Sequence, residues 1–136
     1  MATRSATGTF TPGAKRAGKG EHVFNMAKVN QLQGGPDYST AQGAVVEGDK
    51  MIVGLMRMAK GTGAQPHSHP NEQWIYLIEG ACRFTIDGKS FDARAGDVVY
   101  VPSNAVHSTK VAPDRDAVFF TCKDATHSLQ GIKVKG

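Results

Sequence analysis

From about residue 44 onward, short apolar segments alternate with turn signals, and this pattern constrains the fold more than any other feature of the chain. "AVVEGDKMIVGLMRM" (44–58) holds two apolar runs around Gly48-Asp49, and Asp87-Gly88 is a strong two-residue hairpin signal. Three further runs rich in Val, Phe or Tyr follow: "DVVYVP" (97–102), "AVHSTKVA" (105–112) and "DAVFFTC" (116–122). Short strands at this spacing predict an all-β sandwich or barrel.

Helical periodicity is weak throughout the chain. Only "FNMAKVNQL" (24–32) is a helix candidate, and it is shorter than a typical helix of a globular protein. A length of 136 residues is enough for one domain with a real core. We therefore expect a single all-β domain.

The net charge of +4 has its origin at the N-terminus. The first 20 residues contain no acidic residue and four basic ones, Arg4, Lys15, Arg16 and Lys19. The other 12 basic residues balance the 12 Asp and Glu of residues 21–136, so we expect no nucleic-acid partner. Because residues 1–20 are also poor in large apolar side chains, we expect them to form a flexible basic tail before a domain at 21–136.

Location can also be predicted from hydropathy. No apolar run approaches the roughly 20 residues that span a bilayer, and the N-terminus lacks the apolar centre of a secretory signal. We therefore expect a cytoplasmic protein with no membrane partner. In that setting, and without paired spacing, Cys82 and Cys122 are expected to be buried, unreactive thiols.

The strand "QWIYLI" (73–78) indicates that one face of the sheet is covered by another part of the protein or by a second subunit. Successive side chains of a strand point to opposite faces, which separates Gln73, Ile75 and Leu77 from Trp74, Tyr76 and Ile78. If the first set faces the interior, the outward set is still large and apolar, whereas a strand with one face in water carries polar residues there. Either residues 24–32 or a second subunit must cover this face, and we expect a homodimer.

His67 and His69 are candidate metal ligands. At positions i and i+2 of a strand they project from the same face, with backbones roughly 7 Å apart, so both rings can approach one ion. Two histidines do not make a site, because divalent metals take three or four protein ligands. His107 can supply a third, since it follows a Pro102–Asn104 turn where a strand restarts.

These two blocks resemble the paired motifs of the cupin superfamily. The first motif is matched by a glycine, two histidines and a closing glycine at the family's spacing: Gly61, His67, His69 and Gly80. The second is matched by Gly96, Pro102 and His107. Asn104 and Val111 stand where the family has Gly and Asn, and Asn tolerates the left-handed backbone of such a turn. The resemblance covers about residues 45–122.

The resemblance implies a jelly-roll β-barrel that binds a divalent metal through His67, His69, His107 and an acidic position. Gln73 occupies that acidic position here. Either its amide oxygen is the fourth ligand, or a one-residue shift lets Glu72 bind instead. Gln73 lies two residues before Ile75 and therefore faces the same side of the strand, toward the interior. This favours Gln73 as the ligand, with Glu72 as the alternative.

A neutral set of three His and one Gln would leave the 2+ charge of the ion uncompensated and make it a stronger Lewis acid. The ligand types do not distinguish Fe, Mn, Ni, Zn and Cu. Three other residues are candidates for lining a substrate pocket: Tyr76, Arg57 and Met56. No catalytic acid or base stands out.

Three functions are compatible with this reading. The first is a metalloenzyme acting on a small, oxygen-rich substrate, by dioxygenase-type oxidation or by metal-assisted isomerisation or lyase chemistry. The second is a non-catalytic module that binds or senses a metal and a small ligand. The third, a metal-free structural protein, is disfavoured because three histidines would then lie in a barrel core without partners.

Overall fold

The computed structural model describes residues 10–134 and is built almost entirely of β-strands. The strands are β1 (Lys15–Arg16), β2 (Gln31–Gln33), β3 (Gln42–Glu47), β4 (Met51–Met58), β5 (Gly63–Ser68), β6 (Gln73–Glu79), β7 (Ala81–Ile86), β8 (Lys89–Arg94), β9 (Val98–Val101), β10 (His107–Val111), β11 (Ala117–Asp124) and β12 (Ile132–Lys133). A 3₁₀ helix covers Met26–Lys28. Within residues 10–134, no helix is long and apolar enough to cross a membrane.

The strands form two sheets. The first has the order β1-β3-β4-β11-β6-β9, with β2 also paired to β3, and the second has the order β12-β5-β10-β7-β8. All pairs are antiparallel except β1 with β3. Neighbours that are distant in sequence, such as β4 and β11, give the jelly-roll arrangement. The predicted all-β jelly-roll fold is therefore confirmed.

The predicted turns are present. Glu47 pairs with Ile52 at the end of the β3–β4 hairpin. Asp87 and Gly88, between β7 and β8, have φ values of 48° and 83°, which is the left-handed backbone that a two-residue hairpin of this kind requires. Asn104 has φ 64°, so asparagine adopts the left-handed conformation expected of it in this turn.

The core follows the predicted parity of β6. Ile75 and Leu77 are buried between the sheets, whereas Trp74 and Tyr76 are exposed. The core is completed by apolar side chains from the other strands, among them Val45, Ile52, Met56, Phe84, Val101, Val111 and Phe119. Both cysteines are free, with Cys82 in this core and Cys122 only half-buried on the outer face. Burial raises the pKa of the Cys82 thiol to about 11, which keeps it protonated.

The N-terminal segment differs from the predicted flexible tail over residues 10–20. Here β1 pairs with β3, and the backbone N–H of Thr11 donates to the buried carboxylate of Glu47 at 3.0 Å. The Thr11 hydroxyl in turn accepts from the backbone N–H of Leu129 at 2.7 Å. Composition did not predict this packing because a sheet edge and a buried carboxylate, rather than apolar side chains, hold the segment. The rest of the predicted tail lies outside the described residues.

The helix candidate at 24–32 is also corrected. It contains a single 3₁₀ turn, in which Asn25 Oδ1 accepts from the Ala27 N–H at 3.0 Å, and it then continues into β2. Too few residues separate the turn from the strand for a regular helix to form. The segment lies beside β3 and not over β6. Trp74 and Tyr76 are accordingly 48% and 47% exposed, so residues 24–32 do not cover the outer face.

Candidate metal centre

Sheet pairing brings the two histidine blocks together. His67 lies near the end of β5 and His107 begins β10, and these two residues are direct partners in the antiparallel β5–β10 pair. Their ring centroids are 4.1 Å apart. His69 follows β5 directly, and its ring lies 4.8 Å from that of His107. All three side chains are buried, and their ligand atoms lie within 4.8 Å of one another.

Each histidine has its Nδ1 atom fixed by a backbone carbonyl. The carbonyl partners of His67, His69 and His107 belong to Gln65, Asn71 and Ala105, at 2.7, 3.0 and 2.9 Å. A carbonyl oxygen only accepts, so a proton on Nδ1 satisfies each of these three contacts. In a neutral ring, Nε2 is then a bare lone pair, which is the state in which histidine binds a metal.

The buried environment keeps these rings neutral. Burial, together with the nearby charges of His107 and Lys123, lowers the pKa of His67 and of His69 to about 3. Burial also lowers the pKa of His107. At neutral pH the protein therefore presents three neutral imidazoles in one small volume. This donor set fits a divalent transition metal.

The orientation of Gln73 is set by a hydrogen-bond chain. The Thr121 hydroxyl donates to the Trp74 carbonyl at 3.1 Å, which leaves its oxygen free to accept from the Gln73 amide nitrogen at 2.8 Å. The amide oxygen, Oε1, is thereby directed to His69 and lies 3.1 Å from its Nε2. When Nδ1 of His69 carries the ring proton, both of these atoms offer lone pairs that can bind one cation. The Gln73 amide thus fits the same metal as the imidazoles.

Glu72 lies outside this cluster. Its carboxylate is exposed and accepts a hydrogen bond from the Tyr100 hydroxyl at 2.6 Å on the outer face. The strand begins at Gln73 without the one-residue shift that would turn Glu72 inward. The structure therefore groups Gln73, and not Glu72, with the three histidines.

A cavity of about 60 Å³ adjoins the cluster inside the barrel. Its polar end carries His67, His107, Gln73, Thr121 and Lys123, and its apolar wall includes Met56, Met58, Ile75, Phe84 and Phe119. The predicted pocket residue Met56 thus lines the cavity.

The other two predicted pocket residues do not reach the cavity. Tyr76 points out of the barrel, as its parity with Trp74 requires. Arg57 is exposed on β4, where it forms an ion pair with Asp116 at 3.2 Å. Alternate residues of a strand face opposite sides of the sheet, and both Tyr76 and Arg57 occupy outward-facing positions.

Three residues near the cavity were missed in the sequence. Thr121 and Lys123 lie two and four residues after Phe119 on β11 and face the interior as it does. The alternation of "AVFFTCKD" (117–124) could have indicated this. Burial lowers the pKa of Lys123 to about 7. Tyr38 stacks on the His67 ring at 4.1 Å, and its hydroxyl accepts from the Gly131 N–H at 2.7 Å. No local sequence pattern indicated the position of Tyr38.

Asn71 connects the cluster to the C-terminal segment. The side chain is fully buried, and its amide nitrogen donates to the carbonyls of Asp124 and His127 at 2.8 and 2.9 Å. The Asn71 backbone carbonyl is the acceptor for His69 Nδ1. The segment after β11 therefore helps to hold His69 in its orientation.

Comparison with known proteins gives related sequences and a related fold. The dimethylsulfoniopropionate lyase DddW of Ruegeria pomeroyi is 33% identical over 85 residues, which are 62% of this chain and 55% of that protein. The oxalate decarboxylase OxdC of Bacillus subtilis is 32% identical over 78 residues, 54% of this chain and 20% of OxdC. The matched region thus spans about half of DddW and a fifth of OxdC.

A solved structure of an RmlC-like cupin from Shewanella frigidimarina superposes with a TM-score of 0.66 at 20% identity, over 77% of this chain and 91% of that one. The likeness supports the fold. The family model for the cupin domain matches residues 54–122, about half of the chain, and this match includes His67, His69, Gln73 and His107. On this match the chain belongs to the cupin family.

Proposed function

We propose that His67, His69, His107 and Gln73 bind one divalent transition metal, and that the protein is an enzyme acting on a small, oxygen-rich substrate in the adjoining cavity. The observation that carries the proposal is the 3.1 Å approach of Gln73 Oε1 to His69 Nε2. Two lone pairs this close can bind one cation, and the two remaining histidines face the same volume.

The residues around the site prepare it for such chemistry. When bound, the metal would supply Lewis acidity toward an oxygen atom of the substrate. Because none of the four proposed ligands is anionic, the protein does not offset the charge of the ion. Tyr38, stacked on His67, and the apolar wall formed by residues such as Phe119 limit the access of water to that end of the cavity.

We propose lyase, decarboxylation or isomerisation chemistry in preference to dioxygenase-type oxidation. The names of two similar proteins, a dimethylsulfoniopropionate lyase and an oxalate decarboxylase, support this order. Both names describe cleavage of a small molecule that carries a carboxylate. Dioxygenase-type oxidation is the second reaction class, and a non-catalytic sensing module is the alternative function. One observation favours that alternative: among the described residues that line the cavity, none is an Asp or Glu that could act as a general base.

The test begins with elemental analysis of protein purified without added metal, followed by thermal unfolding with Mn²⁺, Fe²⁺, Ni²⁺, Cu²⁺ and Zn²⁺. We expect bound metal close to one ion per chain and a higher melting temperature with at least one ion. A chain without metal that gains no thermal stability from any of them contradicts the proposed site.

The reaction class is tested by incubating the metal-loaded protein with dimethylsulfoniopropionate and with oxalate while dissolved oxygen is recorded. Loss of substrate without oxygen consumption supports the lyase or decarboxylase class. Oxygen consumption that depends on substrate favours the dioxygenase class. The His107→Ala variant is the control, and it should be inactive in either case. Binding of ligand without turnover of any substrate would favour the sensing module.

We also propose that the protein is a homodimer through the outer face of the first sheet. Four exposed apolar side chains lie in one row across adjacent strands of this sheet: Leu55, Phe120, Tyr76 and Val98. Trp74 and Tyr100 form a second apolar pair beside this row, with ring centroids 4.6 Å apart. A two-fold interface needs a face that is complementary to itself, and an exposed apolar row can meet that need.

A further inference from the structure

Lys123 is a buried lysine in the wall of the proposed metal site. It is the β11 partner of Gln73 and is only 5% exposed. Its ammonium group donates to the Leu129 carbonyl at 2.6 Å. An ammonium group has three N–H donors, and within residues 10–134 Nζ has no other acceptor and no carboxylate partner. Buried lysines are rarely left without a partner, so this one calls for an explanation.

The described lining of the cavity contains no negatively charged side chain. The four proposed metal ligands are neutral, and no Asp or Glu is found among the described residues that line the cavity. A divalent ion would add two positive charges to a cavity whose described lining carries no negative side chain. Positive charge buried here is costly unless a counter-charge accompanies it. An anionic ligand would supply that counter-charge.

We propose that Lys123 is a substrate-binding residue that holds the carboxylate of a small organic acid, and that such acids are the substrate class of this site. The proposal rests on the proposed function, because it assigns a substrate to the same cavity. Lys123 would bind the anion, and the apolar wall around Met56, Phe84 and Phe119 would contact the rest of the molecule.

The size of the cavity limits the acid. At about 10–15 Å³ for each water-sized group, 60 Å³ holds roughly four to six such groups. This suits acids of about four to six non-hydrogen atoms, such as acetate and oxalate, better than a pyranose uronic acid. Acetate is therefore a suitable probe, and acetamide is its neutral counterpart of nearly the same shape.

The experiment measures acetate and acetamide affinities by calorimetry for the wild type, Lys123→Met and Lys110→Met, each with and without bound Co²⁺. Met has a length similar to that of Lys and suits an apolar interior. We expect K123M to lower the acetate affinity at least tenfold and to change the acetamide affinity less than threefold. K110M is the matched control, since Lys110 is an exposed residue of β10, and it should leave both affinities unchanged.

The two proposals can fail separately. Cobalt binding by the wild type without acetate tests the metal site, whereas the acetate difference between wild type and K123M in the metal-free arm tests Lys123 alone. Acetate affinity in K123M within twofold of the wild type contradicts the role of Lys123. If K123M does not fold, Lys123→Gln replaces it. The wild type gives a measurement that needs no variant: equal affinity for acetate and acetamide would also overturn the proposal.

Discussion

The amide oxygen of Gln73 lies 3.1 Å from Nε2 of His69. On its other side the His69 ring has Nδ1 at the Asn71 carbonyl, and the Gln73 amide nitrogen donates to Thr121. A glutamine at this position is thus more than a neutral substitute for a carboxylate. Its orientation is fixed by the fold so that a lone pair faces the histidines.

Gln73→Ile tests this relationship directly. It removes the amide oxygen and puts an apolar side chain of similar size in its place. We therefore expect the metal affinity to fall by about 10–100-fold. Glu72→Ala is the matched control, because Glu72 faces outward, and it should change metal affinity less than twofold. Competition with a chromophoric chelator measures both values. A larger loss in E72A than in Q73I would reverse the assignment of the fourth ligand.

The stability of the metal-free protein should depend on pH. His67 and His69 have pKa values of about 3 in the folded state, below the ordinary value of about 6.5 that applies when the chain is unfolded. Between these values the unfolded chain binds protons that the folded chain does not, so the free energy of unfolding falls as pH decreases. From pH 7 to pH 5 the loss should be roughly 4 kcal/mol for the two histidines.

Urea unfolding at pH 7, 6 and 5 measures this dependence. His22→Gln is the control, because His22 is exposed, and it should show the same loss as the wild type. An unfolding free energy that is constant over this range would mean that the buried histidines are protonated in the folded state.

Asn71→Ala should weaken both the fold and the metal site. It removes the donor shared by the partly buried Asp124 and His127 carbonyls, at a cost of about 1–3 kcal/mol. Because the Asn71 backbone also accepts from His69, we expect metal affinity to fall about tenfold. Asn25→Ala, at an exposed 3₁₀ cap, is the comparison and should leave metal affinity unchanged. Thermal unfolding and metal titration give the two readouts.

Phe120→Glu should convert the proposed dimer into a monomer. Phe120 is 40% exposed in the middle of the apolar row, where a carboxylate would be buried without a partner in the dimer. Phe91→Glu is the matched control, since Phe91 is 53% exposed but lies on β8 in the second sheet. Light scattering after size-exclusion chromatography distinguishes the two species. A monomeric wild type at micromolar concentration would end the dimer proposal.

Local patterns in the sequence were sufficient for the strands between about residues 44 and 124 and for the predicted turns, and the resemblance to the cupin motifs added the histidine cluster. The side-chain period of a strand is two wherever the strand lies, so parity alone places Gln73 inward and Glu72 outward. The same rule, applied to Tyr76 and Arg57, excludes both from the cavity. Parity would also have placed Thr121 and Lys123 inward, although their type suggested a surface.

Other features depend on partners that are distant in the chain. The pairing of β11 with β6 brings Thr121 to the Gln73 amide and Lys123 into the wall of the cavity, and no local pattern specifies which strands pair. Residues 10–20 are held by β3 and by the buried carboxylate of Glu47, which composition cannot predict. The sequence by itself determined which residues face the barrel interior, because that is a property of one strand. Only the tertiary structure decided which atoms of those residues meet, because their distances and orientations depend on contacts between strands that are far apart in the chain.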